Sequence, residues 1–282
     1  MNAPSALPGI APEQNIEARH LAVFRRIAFQ DAGIELDESK QQLLLGRLLP
    51  RLRANDLADF DAYCALLETD CPDERAEFLS AITTNVTAFF REAHHFDFLR
   101  SRVVPQVLAG PDRRLRVWSA ACSTGQEAYS IAMTLADAIP QSAGIDWKIL
   151  ATDIDTRALA VANEGVYHAE DLPTNDAAAA IRPWLTPVGS EQWSVSPLLK
   201  DRIFFREVNL NGQWPMNRQV DVIFCRNVII YFSDETRNAL VDRFARILTP
   251  NGHLFIGHSE AVRQPSDAFV QVAPTTYRRI GP

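Results

Sequence analysis

Three short stretches of this chain carry side chains whose types and spacing could do chemistry. The first is Ser119-Ala120-Ala121-Cys122-Ser123-Thr124-Gly125-Gln126-Glu127. Small residues let a backbone approach a ligand closely, and Gly125 permits a tight turn before a helix. It has one glycine where the dinucleotide fingerprint has three, and no Gly-Lys-Ser/Thr of a phosphate loop follows. On these residues alone, a ligand cradle and an ordinary strand-to-helix turn explain it equally well. The second stretch is Ala151-Thr152-Asp153-Ile154-Asp155. Its first acid ends an apolar run, where a ribose diol commonly donates its hydrogen bonds. Asp155, just before Thr156, reads better as the cap of the next helix. The third is Cys225-Arg226-Asn227-Val228-Ile229-Ile230-Tyr231-Phe232, with an amide and then a phenol beyond another apolar run. Turn fixation and half-buried packing account for Asn227 and Tyr231 equally well.

A ribose-binding acid without pyrophosphate glycines favours S-adenosylmethionine (SAM) over a dinucleotide, because SAM has a ribose and adenine but no phosphates. Its ammonium and sulfonium call for acids and carbonyls, and Glu127 is placed to meet the ammonium.

These stretches need elements to position them. After residue 113, short apolar runs alternate with helical patterns: Leu115–Ala120 then Glu127–Ala138, Trp147–Thr152 then Thr156–Asn163, and Val220–Cys225 then Ser233–Leu248 before His253–Gly257. That grammar predicts βαβ units and a mostly parallel sheet, with Ala268–Val272 and Thr275–Ile280 as an antiparallel edge. Trp184–Thr186, Gln192–Ser196 and Arg202–Val208 read as a small antiparallel insertion, about 183–208, with Pro187 ending its first strand. Before residue 100 there is only helical spacing, including the Leu44, Leu45, Leu48, Leu49 and Leu52 stripe, which Pro50 should kink or divide. The expected layout is a loose tail over 1–12, an all-helical domain over 13–84, a connecting segment over 85–112 and an α/β domain over 113–282.

Composition narrows the class. The 282 residues are 47% hydrophobic and 22% charged, with 28 basic and 35 acidic side chains and a net charge of −7. That balance is globular and argues against nonspecific nucleic-acid binding. No stretch is long and apolar enough for a membrane span, and no basic start precedes Glu13, so a cytoplasmic protein is expected. Four cysteines without a Cys-x-x-Cys pair read as free thiols.

Five motifs in order, Thr84–Glu92, Trp118–Ser130, Asp153-Ile154-Asp155, Cys225–Phe232 and Gly257-His258-Ser259-Glu260, resemble the CheR-type chemotaxis receptor methyltransferases. The resemblance runs from the helical front to Glu260. It implies a Rossmann-like SAM-dependent methyltransferase domain with a small antiparallel β insertion, preceded by an all-helical N-terminal domain. It implies methyl esterification of glutamate side chains on methyl-accepting chemotaxis receptors, with S-adenosylhomocysteine as product and no metal. Contact with the membrane would then come only through the receptor. Carried over by position, Asn85, Thr87, Arg91, Glu127, Asp153, Asn209, Leu210, Asn227 and Val228 would border the cofactor. Phe89 and Phe90 read as packing. One departure is visible: Gln126-Glu127-Ala128 stands where many relatives have Glu-Glu-Pro.

A glutamate substrate has a reference pKa of about 4.3 and is already nucleophilic at neutral pH, so no general base is required. Attack on a sulfonium cancels two charges, and a site that excludes water while aligning the atoms favours it. Arg91 and Tyr231 are the candidates for orienting the carboxylate, Arg91 by a one-sided contact. Lys40, Arg47, Arg51 and Arg53, with no acid from Ser39 to Asn55, form a basic stripe expected to meet an acidic receptor helix. A catalytically silent SAM-binding regulator on the same scaffold is the alternative from another functional class.

Overall fold

The computed structural model describes residues 15–37, 41–175, 177–261 and 268–281. The chain forms two compact units, Met1–Ile82 and Thr83–Pro282. The expected tail over 1–12 and Lys40 lie outside the described residues.

The first unit is helical: α1 (Ala18–Ala32), α2 (Gln41–Ala54), α3 (Phe60–Leu67) and α4 (Pro72–Ile82). Phe24 is fully buried and packs against Phe60, Tyr63 and Phe78. Pro50 does not divide α2, which continues to Ala54. The carbonyl that loses its helical partner belongs to exposed Gly46, where water can satisfy it.

The basic stripe is not uniformly free. Arg51 donates from Nε to Glu74 Oε1 at 3.0 Å and pairs with Glu77 at 2.9 Å, and the Tyr63 hydroxyl donates to the same Glu74 oxygen at 2.8 Å. Arg51 is therefore half-buried and engaged within the helical unit, not a free member of the expected recognition stripe. Burial alone would push the Glu74 carboxyl up, but hydrogen bonds from Arg51, Asn55 and Tyr63 hold it below the usual range. Half-buried Arg47 donates to the Ile82 carbonyl at 2.8 Å, and Arg53 is exposed. Arg51→Met should destabilise this unit by about 3 kcal/mol, because it strands a buried carboxylate. Denaturant unfolding with no loss relative to the parent protein would contradict that role.

In the second unit, α5 (His94–Phe98) runs through one π-helical turn, Leu99–Val103, into α6 (Val104–Ala109). Then follow β1 (Arg114–Ala120), α7 (Gln126–Ala138), β2 (Asp146–Asp153), α8 (Thr156–Glu164), β3 (Val166–His168), α9 (Ala177–Ile181), β4 (Leu185–Val188), β5 (Gln192–Val195), α10 (Pro197–Lys200), β6 (Ile203–Glu207), β7 (Val220–Cys225), α11 (Asp234–Ile247), β8 (Leu248–Ile256), β9 (Phe269–Ala273) and β10 (Thr276–Arg279). The seven-stranded sheet has the order β6-β2-β1-β7-β8-β10-β9. Its first five strands pair in parallel, and β10 is antiparallel to both β8 and β9. Phe224 and Phe255 stack at 4.4 Å within its buried core.

The small insertion differs from expectation at both ends. Its three strands have the order β3-β5-β4, so 166–168 supplies the strand assigned to Arg202–Val208. That later segment, as β6, pairs in parallel with β2 from Ile149↔Ile203 to Asp153↔Glu207. A five-residue strand carries the same local pattern in either sheet, and only its distant partner decides which it joins. Pro187 stays inside β4 opposite Trp193; as an outer strand, β4 loses nothing when a residue lacks an N–H toward solvent.

Candidate active site

The strand order reverses beside β1, with β2 and β6 on one side and β7 and β8 on the other. Ligands of open α/β sheets bind in the crevice beyond the carboxyl ends at such a reversal. The loops leaving β1, β2, β6, β7 and β8 all meet there.

Asp153 closes β2 and is 8% exposed. Its Oδ2 accepts the Ser123 N–H at 2.7 Å and its Oδ1 the Asp155 N–H at 2.9 Å. The acid thus faces the turn after β1 rather than solvent, and each oxygen keeps a lone pair for a further donor. Burial pushes the Asp153 carboxyl up, opposed by these backbone donors. Asp155 caps α8, accepting from the Arg157 and Ala158 N–H groups at 2.9 and 3.2 Å. Its other oxygen accepts the Asn85 amide at 2.6 Å, and Ser123 Oγ donates to Asn85 Oδ1 at 3.2 Å. The Asn85 segment is thereby pinned across the ends of β1 and β2, with half-buried Thr87 two residues on.

The turn after β1 is built as its small residues allow. Gly125 has φ 96°, and a Cβ there would lie 2.8 Å from Ala162 Cβ and 2.9 Å from the Tyr167 hydroxyl. That hydroxyl donates to the Thr124 carbonyl at 2.7 Å, so β3 also holds the turn. The departure at Gln126 leaves α7 starting at that residue, with Thr124 Oγ1 donating to Gln126 Oε1 at 2.8 Å. Buried Glu127 accepts from Ser119 Oγ at 2.7 Å and from Arg226 Nη1 at 3.2 Å.

Asn209 and Leu210 follow β6 beside Asp153, whose carbonyl accepts the Val208 N–H at 3.0 Å. Leu210 is buried, and its carbonyl accepts Trp214 Nε1 at 3.1 Å. Asn227 and Val228, both half-buried, follow β7. Arg91 donates from Nη1 to the Val86 carbonyl at 2.9 Å, which engages one of its five N–H groups. Tyr231 is half-buried in the short turn Ile229–Tyr231. Phe89 and Phe90 pack against Tyr167 and Phe96, at 5.0 and 5.1 Å between ring centroids.

Three side chains that sequence reasoning left without a role complete the site. Buried Glu260 accepts the N–H groups of Gly257 and Asn227 on Oε2, at 2.6 and 2.9 Å, and that of Ile229 on Oε1 at 2.8 Å. Arg226 and Glu92 form an ion pair at 3.4 Å. All three sit inside the quoted motifs, but apart from Gly257 the partners named here lie far along the chain. Phe90, Glu92, Ala121, Ser123 and Asn227 have φ between 50° and 69°. Left-handed non-glycine residues persist where surrounding bonds over-determine the backbone, and such residues cluster at functional sites.

Two buried acids, amides and a small-residue turn suit a ribose and a cationic amino-acid end. Glu92, His94 and His95 bring potential metal-ligating atoms within 4.8 Å of one another, but the Arg226 guanidinium beside Glu92 opposes a second cation there.

Behind the crevice, His95 donates or accepts at Thr275 Oγ1 through Nε2 at 2.8 Å and packs edge-on to Phe255. Burial, with Arg226 nearby, drives its imidazole down to about 3, and burial lowers His253 to about 4. Both stay neutral in the folded protein while the unfolded chain takes up protons below about 6.5. Stability is therefore complete above that pH and falls below it, by about 2 kcal/mol for each histidine between pH 7 and pH 5. Glu92, which burial would raise but which His258 and Arg226 hold at about 2, adds a second loss below about pH 4.5. Denaturant titrations at the two pH values test this; equal stabilities would refute it.

A family model described as CheR methyltransferase, SAM binding domain, matches residues 85–278, and one described as CheR methyltransferase, all-alpha domain, matches residues 19–83. The chain is 44% identical over 257 residues to a probable chemotaxis protein methyltransferase of Rhizobium etli, covering 89% of this chain and 96% of the relative. It is 40% identical over 277 residues to a chemotaxis protein methyltransferase of Klebsiella aerogenes, covering 97% and 93%. A chemotaxis protein methyltransferase of Escherichia coli is 40% identical over 263 residues, covering 91% and 90%. Among the described residues, no helix is long and apolar enough to cross a membrane.

Proposed function

The chain belongs to the CheR methyltransferase family and is a SAM-dependent methyltransferase, and from that premise we propose that it esterifies glutamate side chains of methyl-accepting chemotaxis receptors. The observation that carries the reading is the pair of buried acids, Asp153 and Glu127, at the strand reversal. Bound SAM supplies an electrophilic methyl group on a sulfonium, and transfer to a carboxylate gives an ester and a thioether.

The chain's own residues bind, orient and keep water out. Asp153 takes the ribose hydroxyls on its remaining lone pairs. Glu127 takes the ammonium. Asn85, Thr87, Asn209, Leu210, Asn227 and Val228 wall the pocket around them. Arg91 and Tyr231 hold the incoming carboxylate, and the anchoring of Arg91 on Val86 supports a one-sided contact that leaves the attacking oxygen free. Arg47 and Arg53 are what remains, among the described residues, of the stripe proposed to meet the acidic receptor helix.

Incubation with labelled SAM and receptor-bearing membranes should give methyl groups released by alkali, as esters are. Arg91→Ala should lower turnover by at least about tenfold, as expected for loss of a charge-assisted contact, while SAM affinity changes little. Alkali-stable label would move the reaction to another acceptor, and unchanged turnover would remove Arg91 from it.

A further inference from the structure

Just beyond β7, Arg226 is 6% exposed and stands between two carboxylates. Its Nη1 donates to Glu127 Oε2 at 3.2 Å; its Nη2 lies 3.4 Å from Glu92 Oε2 and donates to the Arg91 carbonyl. Glu92 is anchored in turn by His258, whose Nδ1 lies 3.0 Å and backbone N–H 3.3 Å from Oε1. The Phe96 ring packs 5.8 Å from the guanidinium. One side chain thereby ties the β7 loop to the first turn of α7 and to the Arg91 segment.

A buried carboxyl that loses its cationic partner takes up a proton rather than hold an uncompensated charge. Only the ionised form of Glu127 accepts an ammonium with full charge assistance. We propose that Arg226 is a positioning residue for the methyl donor, holding Glu127 ionised and aimed into the crevice, with Glu92 fixing the guanidinium from behind. The proposal rests on the reading of Glu127 as the acid that meets the SAM ammonium. Burial pushes the Glu127 carboxyl up, while Arg226 and Ser119 oppose that. A lysine ammonium would not reach three acceptors in different directions, as the planar fork does. The other titratable groups facing Glu127 are Glu92 and the thiols of Cys122 and Cys225. Both thiols are driven up by burial and remain neutral, and Glu92 remains ionised.

The test is SAM affinity by calorimetry between about pH 5.5 and pH 7, below the usual amine range, on the full chain and its variants. The parent protein should show a nearly flat profile. Arg226→Met should bind SAM at least about tenfold more weakly at pH 7, as expected when a buried charge pair is broken. Its affinity should rise with pH, because deprotonation restores the acceptor. Arg226→Lys should recover part of the loss, and KM for SAM should rise far more than kcat falls. Combining Arg226→Met with Glu127→Gln should flatten the profile. A folded Arg226→Met variant with parental affinity and a flat profile would overturn the proposal. If that variant does not fold, parental affinity in both Arg226→Lys and Glu92→Gln would overturn it equally. Parental SAM affinity in Glu127→Gln would instead overturn the reading of Glu127, and no SAM binding by the parent protein would overturn the cofactor reading itself.

Discussion

Glu260→Ala is expected to reduce methyl transfer by at least about a hundredfold and to destabilise the catalytic unit by about 3–5 kcal/mol. The carboxylate holds three backbone N–H groups, those of Gly257, Asn227 and Ile229, at 2.6–2.9 Å. Each buried donor left without an acceptor costs about 1–3 kcal/mol, and Asn227 loses what keeps it at φ 60°. A displacement of about 1 Å at a positioning residue is enough for a hundredfold loss. Gly257→Ala probes the same loop without removing an acceptor. A Cβ there would stand 2.5 Å from Asn227 Nδ2 and 2.9 Å from both Asn227 N and Glu260 Oε2, so the Asn227 loop must move. Both variants should be assayed well below their unfolding transitions. Full activity in folded Gly257→Ala would mean that the Asn227 loop is not part of the reactive geometry.

Asp153→Ala should weaken SAM binding by at least about a hundredfold. Two hydrogen bonds to a charged carboxylate, at about 1.5–3 kcal/mol each, amount to more than that factor. The same change leaves the N–H groups of Ser123 and Asp155 without their acceptor, so the turn after β1 loosens as well. Asp153→Asn separates the two effects. It retains one acceptor oxygen for the backbone but presents an NH₂ group where the carboxylate accepted, so affinity should fall with a smaller loss of stability. Calorimetric titration with SAM measures both, and parental affinity in either variant would place the ribose elsewhere.

Much of the framework was legible because it is local. β1, β2 and β7 announce themselves as short apolar runs, and α7, α8 and α11 as helical patterns with recognisable starts. The Asp155 cap was readable from one residue and its neighbours, and the structure gives it the two expected N–H bonds. Asp153 could be singled out because strand ends in a parallel sheet are where ligands gather, a property of the architecture rather than of a particular contact. The misreadings have the opposite character. Arg51 read as one of a basic stripe facing an acidic receptor helix, but Glu74 and Glu77, on another helix, engage it. The strand over 203–207 could not declare its sheet from five residues.

From its residues alone, this chain determined an all-helical N-terminal part, a mostly parallel sheet later in the sequence, and a small-residue turn and an acid at the sheet's edge. Periodicity reports which faces of an element are buried, and that is settled within a few residues. Tertiary structure decided the rest: the reversal beside β1, the sheet that β6 joins, and the assembly of Glu92, Glu127, Arg226 and Glu260. Arg226 meets Glu127 across 99 residues of sequence. Burial of an ion pair depends on which distant segments converge, and no local pattern encodes that convergence.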